Sequence, residues 1–278
     1  MPYRLLALDV DGTLVDPEGA LRPKVREAVQ AARERGVEVV LCTGRRFRTA
    51  RGVLDELELE GAVVVHNGVV VKDIRSGETV EHSYLSLDLY GAILEVMREL
   101  GPPLVYVDHY HEDLDIYAEP PERAHAFQAE YLADAAPVTR FVESLDDPPS
   151  PALVMLSAMA DESRLLPLRE TIEDELGRHV RTNFIANQRY PGHILEVVSR
   201  TSGKWSALRA VAQKQGIAPG EILAIGDDNN DVEMIAEAGL GVAMGNAVAA
   251  AKEAADLITG SNEEDGVVRV IEEHLLVG

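Results

Sequence analysis

Residues 5–13 read LLALDVDGT: four apolar residues, then Asp9 and Asp11 one residue apart, then Gly12 and Thr13. A short apolar run closed by turn residues predicts a strand buried on both faces. Asp9 and Asp11 stand at its carboxyl end. Alternate residues of an extended chain point the same way, so both carboxylates can face one pocket. Gly12 permits a tight turn and close approach of backbone to a ligand, and the amides of such a turn can form an anion nest. By itself DVDGT also reads as an Asx turn after a strand. Unpaired carboxylates beside a hydrophobic sheet are costly to bury, so the stretch raises the question of what they bind.

The surrounding chain sets the context. Val25, Ala28, Val29 and Ala32 fall at helical spacing and predict a helix over 22–35, with Pro23 near its start and Gly36 past its end. VEVVLC (37–42) reads as a strand, 46–59 as a helix and AVVV (62–65) as a third strand. Alternation resumes near 194 with ILEVV, a helix at 204–215, the strand EILAIG, a helix at 231–238 and the strand GVAM. This rhythm predicts a Rossmann-like α/β core with a parallel sheet. The middle differs. LVYVD (104–108) and DIYAE (115–119) read as paired strands, with helical patterns at 86–100, 122–134 and 162–176. The expected organisation is a core at 1–84 and 191–278 around an α+β insert at 85–190, placed after the third strand. The insert is expected to move as a lid, with hinges near 82–86 and 190–194.

Ligands of open parallel sheets bind beyond the carboxyl ends of the strands. Four such ends carry polar clusters: DVDGT, TGR (43–45), HNG (66–68) and GDDNND (226–231). Their convergence on one rim is the main functional signal. Asp227 and Asp231 add carboxylates there, and a carboxylate cluster calls for a hard cation; Mg2+ suits oxygen ligands shared with a phosphate. Thr43 can donate to a phosphate, or simply cap the turn before a helix. Asn67 can reach a substrate hydroxyl or shape a turn before Gly68. Lys204 opens a helix, where the positive end of the dipole disfavours a cation, so an anion shared with Asp9 would explain it; a solvated lysine is the alternative. Residues 108–113, DHYHED, form a polar hairpin in the insert, read as solvated rather than metal-binding.

The bulk numbers narrow the class. With 278 residues and a formal net charge of −22, the chain should repel nucleic acid and anionic membranes. One cysteine, Cys42, excludes an internal disulfide and fits a reducing cytoplasm. The first residues run into a strand without a signal-peptide layout, and no apolar run approaches the ~20 residues of a membrane helix. Oligomeric state is not legible.

Taken together, DVDGTL, TGR, Lys204 and GDDNND resemble the four motifs of the haloacid dehalogenase superfamily, and the tail GVAMGNAVAAAKEAADLITGSNEEDGVVRVI resembles its Cof-type sugar-phosphatase branch. Trp205 departs from the glycine common after the lysine. The resemblance implies that Asp9 attacks phosphorus and Asp11 serves as acid and base. It implies Mg2+ held by Asp9, Asp227 and the main-chain carbonyl of Asp11, with Asp231 behind them. It also implies phosphoryl contacts from Thr43, Lys204 and Asn230, with help from Arg45 at the boundary of the insert; Gly44 and Asn67 are the further candidates for binding phosphate or substrate. The expected substrate is a small phosphorylated metabolite. A phosphomutase and a non-catalytic phosphometabolite sensor are the alternatives.

Overall fold

The computed structural model describes residues 2–186 and 192–277. The chain divides into two compact units, Met1–His82 with Gly203–Gly278, and Ser83–Ser202.

The first unit begins with β1 (Leu5–Leu8), α1 (Pro23–Glu34), β2 (Glu38–Leu41), α2 (Phe47–Glu56), β3 (Ala62–Val65), β4 (Val70–Asp73) and β5 (Thr79–His82). The second unit supplies α3 (Leu87–Met97), β6 (Leu104–His109), β7 (Leu114–Ala118), α4 (Ala126–Ala135), β8 (Thr139–Phe141), β9 (Leu153–Ala160), α5 (Glu162–Leu176), β10 (Val180–Ala186) and β11 (His193–Ser199). The first unit resumes with α6 (Lys204–Lys214), β12 (Ile222–Gly226), α7 (Val232–Glu237), β13 (Leu240–Ala243), α8 (Ala249–Ala254), β14 (Leu257–Ile258) and α9 (Gly266–Leu275).

The central sheet has the order β14-β13-β12-β1-β2, every pair parallel. From β1 the chain winds toward β2, and from β12 toward β13 and β14, so winding reverses between β1 and β12. That reversal opens a crevice at the carboxyl ends of the strands. Leu5–Leu8 and Ile222–Ile225 are fully buried, as a sheet covered on both faces requires. On one face Leu5, Ala7, Val40 and Ala224 pack against Trp205 and Leu208 of α6. Trp205 therefore serves the core, with 5% exposure. α1 buries the expected stripe Val25, Ala28, Val29 and Ala32. It closes in a Schellman turn: Gly36 at φ +81 donates to the Arg33 carbonyl, and Val37 to that of Ala32.

Two features of the fold escape the sequence reading. β4 and β5 form an antiparallel sheet with β3 and lie between the third strand and the insert. The strand at 194–198, expected in the core, is β11 and pairs antiparallel with β9 and β10 in the second unit. The chain returns to the first unit at residue 203, not 191. An apolar run does not say which sheet it joins. Its hairpin partner β10, VRTNFIA, is broken by Arg181 and Asn183 and does not stand out as a strand. The second expected hinge, 190–194, falls partly outside the described residues.

The second unit is a six-stranded sheet, β10-β11-β9-β6-β7-β8, antiparallel but for the β7–β8 pair. α3 and α5 contribute Tyr90, Ile93, Met97, Leu165 and Ile172 to a core with Leu156 and Leu195. The buried Tyr90 hydroxyl donates to the Leu145 carbonyl at 2.7 Å, which satisfies its polar atom.

Candidate active site

The site assembles at the carboxyl ends of β1, β2, β3 and β12. Register places Leu8 beside Ile225 on one side and Leu41 on the other, so the residues after each strand emerge on one rim. Asp9 follows β1 and is 5% exposed; Thr43 follows β2 and is fully buried.

Lys204, the first residue of α6, is 2% exposed, not solvated. Its Nζ donates to Asp9 Oδ1 at 2.6 Å and to Asp231 Oδ1 at 2.7 Å. Asp231 Oδ2 accepts the amides of Asp227 and Asp228, each at 3.1 Å. Both Asp231 oxygens are thus occupied, one fixing the lysine and one fixing the 226–231 loop. α6 is seated by a glycine contact: a Cβ on Gly68, at φ +87, would lie 2.1 Å from the Gly203 carbonyl oxygen.

Asp9, Asp227 and Asp231 bring carboxylate oxygens within 4.8 Å of one another. Among the described residues this is the sole such group of potential metal ligands, so the hairpin at 108–113 forms none. Burial pushes the Asp9 carboxyl well above its ordinary range; Lys204 opposes this, while Asp231 and Asp227 add to it. Asp227 is pushed up to about 6, first by burial, with a hydrogen bond from Thr13 opposing and the Asp231 charge reinforcing. Burial would lower the Lys204 ammonium, but the charges of Asp231 and Asp9 outweigh it and hold it above its usual range. Three clustered carboxylates with one ammonium carry surplus negative charge, and an all-oxygen donor set of this kind fits a hard divalent cation.

The other expected residues form two neighbouring pairs. Arg45 grips Asp11 with both arms, Nε to Oδ2 at 2.8 Å and Nη2 to Oδ1 at 2.6 Å, and the Asp11 side chain is 60% exposed. Asn230 Nδ2 donates to Asn67 Oδ1 at 2.8 Å, tying the loop after β3 to the loop after β12. Asn67 itself sits at φ +54. A Cβ on Gly44 would come within 2.9 Å of Asn67 Oδ1, so glycine leaves Asn67 its place. Thr43 Oγ1 accepts the Arg45 amide at 3.0 Å, which caps its turn and leaves the hydroxyl proton to donate. Cys42 is buried, and burial raises its thiol far from reactive range.

Thr13 was not singled out by sequence reasoning, although the DVDGT stretch contains it. Its hydroxyl donates to Asp227 Oδ1 at 2.8 Å and joins the loop after β1 to the loop after β12. Gly12 allows that approach: at φ +83, a Cβ there would lie 2.2 Å from Asp227 Oδ2.

Residues 6–271 match the family model of haloacid dehalogenase-like hydrolases. The chain belongs to this family. It is 32% identical over 277 residues to YxeH of Bacillus subtilis (strain 168), spanning 99% of both chains. It is 27% identical over 284 residues to the pyridoxal phosphate phosphatase YbhA of Escherichia coli (strain K12), covering 99% of this chain and 100% of that one. The crystal structure of a haloacid dehalogenase-like hydrolase from Bacteroides thetaiotaomicron superposes with a TM-score of 0.79 at 27% identity, covering 98% and 99% of the two chains. Membership agrees with the four motifs, and the family fold agrees with the parallel core sheet.

Proposed function

We propose that this hydrolase is a Mg2+-dependent phosphomonoesterase for small phosphorylated metabolites, working through an aspartyl-phosphate on Asp9. The observation that carries the reading is the buried Lys204 ammonium shared between Asp9 and Asp231 at the end of β1. The name of YbhA, a phosphatase for a small phosphate ester, supports the substrate class.

Asp9 and Asp227 would hold the cation by the oxygens that Lys204 and Thr13 do not engage, together with the Asp11 main-chain carbonyl. Asp231 would steady the loop from behind. Bound Mg2+ would supply Lewis-acid stabilisation of charge on the phosphoryl group. An Asp9 oxygen then attacks phosphorus while the bond to the leaving oxygen breaks, and Asp11 gives that oxygen a proton. In the second step Asp11 takes a proton from water, the water oxygen bonds to phosphorus, and the Asp9–phosphorus bond breaks. Lys204, Thr43 and Asn230 would bind the phosphoryl oxygens, where preorganised donors count most. Arg45 takes one lone pair on each Asp11 oxygen, and the sites left on this 60% exposed side chain are the ones open to the proton. The acidic chain argues against nucleic acid and anionic membranes as partners. The lone buried cysteine fits a cytoplasmic setting. No helix among the described residues is long and apolar enough to cross a membrane.

Turnover of an aryl phosphate is the test. We expect hydrolysis with Mg2+, none with EDTA, and none with Asp9→Asn under either condition. Undiminished turnover in EDTA would remove the metal from the reading, and turnover by Asp9→Asn would remove the nucleophile.

A further inference from the structure

The tail motif GVAMGNA (241–247) takes no part in the chemistry above, yet the segment after β13 reaches both acidic loops. Asn246 Nδ2 donates to the Gly12 carbonyl at 2.8 Å, across 234 residues of sequence. Two residues on, the Val248 amide donates to the Asp227 carbonyl at 2.9 Å. Asn246 Oδ1 accepts the Asn262 amide at 3.1 Å, and Asn262 Nδ2 donates to the Val15 carbonyl at 2.8 Å. Asn246 is exposed, so water could satisfy its amide; it instead makes bonds with both ends. The backbone it grips is the turn directly after Asp11, at the glycine that nearly touches Asp227.

We infer that Asn246 is a positioning residue for phosphoryl transfer: it clips the Gly12 turn, and with it the Asp9–Asp11 backbone, against the Asp227 loop. The consequence for turnover rests on the phosphatase reading; the clip itself does not. A group that fixes reacting atoms acts chiefly in the transition state, so its loss falls on kcat more than on KM.

The experiment pairs Asn246→Ala with Asn246→Asp. The aspartate keeps an acceptor for Asn262 and loses the donor to Gly12. Amide hydrogen exchange of Thr13, Leu14 and Val15, which bond to the Val10 carbonyl, is read in metal-free protein. Steady-state kinetics are read with an aryl phosphate and Mg2+. Both variants should exchange faster at residues 13–15. Both should lose kcat by a factor on the order of ten, with KM held within about twofold. A merely structural asparagine would lower the melting temperature and leave kcat per folded molecule unchanged. Wild-type exchange at residues 13–15, or wild-type kcat in Asn246→Asp, overturns the inference. If the wild type hydrolyses no phosphate ester, the phosphatase reading fails and the exchange rates alone decide the clip.

Discussion

Lys204 is a cation with almost no contact with water, held by two carboxylates. Removing one partner of a buried ionic group leaves the others uncompensated, typically at about 3–5 kcal/mol. Lys204→Met should therefore lower stability by about that amount in urea titrations of metal-free protein. Asp227 works in the opposite sense. Its folded-state value of about 6 lies above the ordinary carboxylate value of 3.8. The folded protein therefore binds a proton that the unfolded chain has already released, and stability falls as pH rises through that window. Below about 3.8 the cost is absent; above about 6 it is fully present. Asp227→Asn should raise the melting temperature in EDTA at pH 7.5, by ~1–3 kcal/mol in stability, with the gain shrinking toward pH 4. The same variant should be inactive, an instance of stability exchanged for function. Asp11→Asn should lose roughly 10²–10⁴-fold in turnover. The first step should suffer less with an aryl than with an alkyl phosphate, because an aryloxide needs little protonation. Rapid-quench comparison of the two substrates reads this; equal first-step losses would remove Asp11 from acid–base work.

At the scale of elements, the site depends on how closely loops approach. Gly68 lets the turn after β3 press against the start of α6, and Lys204 is the first residue of that helix. Gly68→Ala places a methyl group against backbone, at a φ that L-residues rarely adopt. We expect at least about 2 kcal/mol of destabilisation in urea titrations, and lost activity in the folded fraction because α6 has to shift. The parallel core was legible because its strands are unbroken apolar runs and α1 has a clean stripe closed by Gly36. DVDGT and GDDNND were legible as a pair because residues just past buried parallel strands share one rim. β10 was not legible, since polar residues interrupt it, and without it β11 attached itself to the wrong sheet. The pairing of Arg45 with Asp11 was also hidden. Sequence places both side chains on the rim, but which partners meet there depends on side-chain reach and loop path. Asn246 was hidden for the same reason, although its motif was noticed.

The whole molecule carries a charge of −22, and the buried carboxylates Asp9 and Asp231 lie together with Asp227. A ligand that binds only the folded state stabilises it by mass action, about 2.7 kcal/mol at a hundredfold excess over its dissociation constant. Mg2+ should therefore raise the melting temperature, and the increase should vanish in Asp227→Asn. Differential scanning calorimetry with Mg2+ and with EDTA reads both; an equal increase in the variant would place the stabilising ion elsewhere on the acidic surface.

The neighbour relation between β1 and β12 also bears on how the chain comes together during synthesis. β1 lies between β2 and β12, and β12 begins at residue 222. Until the ribosome has passed that point, the first unit has an unpaired strand edge beside Asp9. The second unit, by contrast, is continuous from Ser83 to Ser202 and needs nothing downstream. Contacts separated by so much chain form slowly, and domains tend to mature as units in order of emergence. The inserted unit can thus be complete while the unit that surrounds it is still half-made. During the interval between residues 41 and 222, the edge of β1 that later pairs with β12 is an open template of the kind that exposes a nascent chain to aggregation.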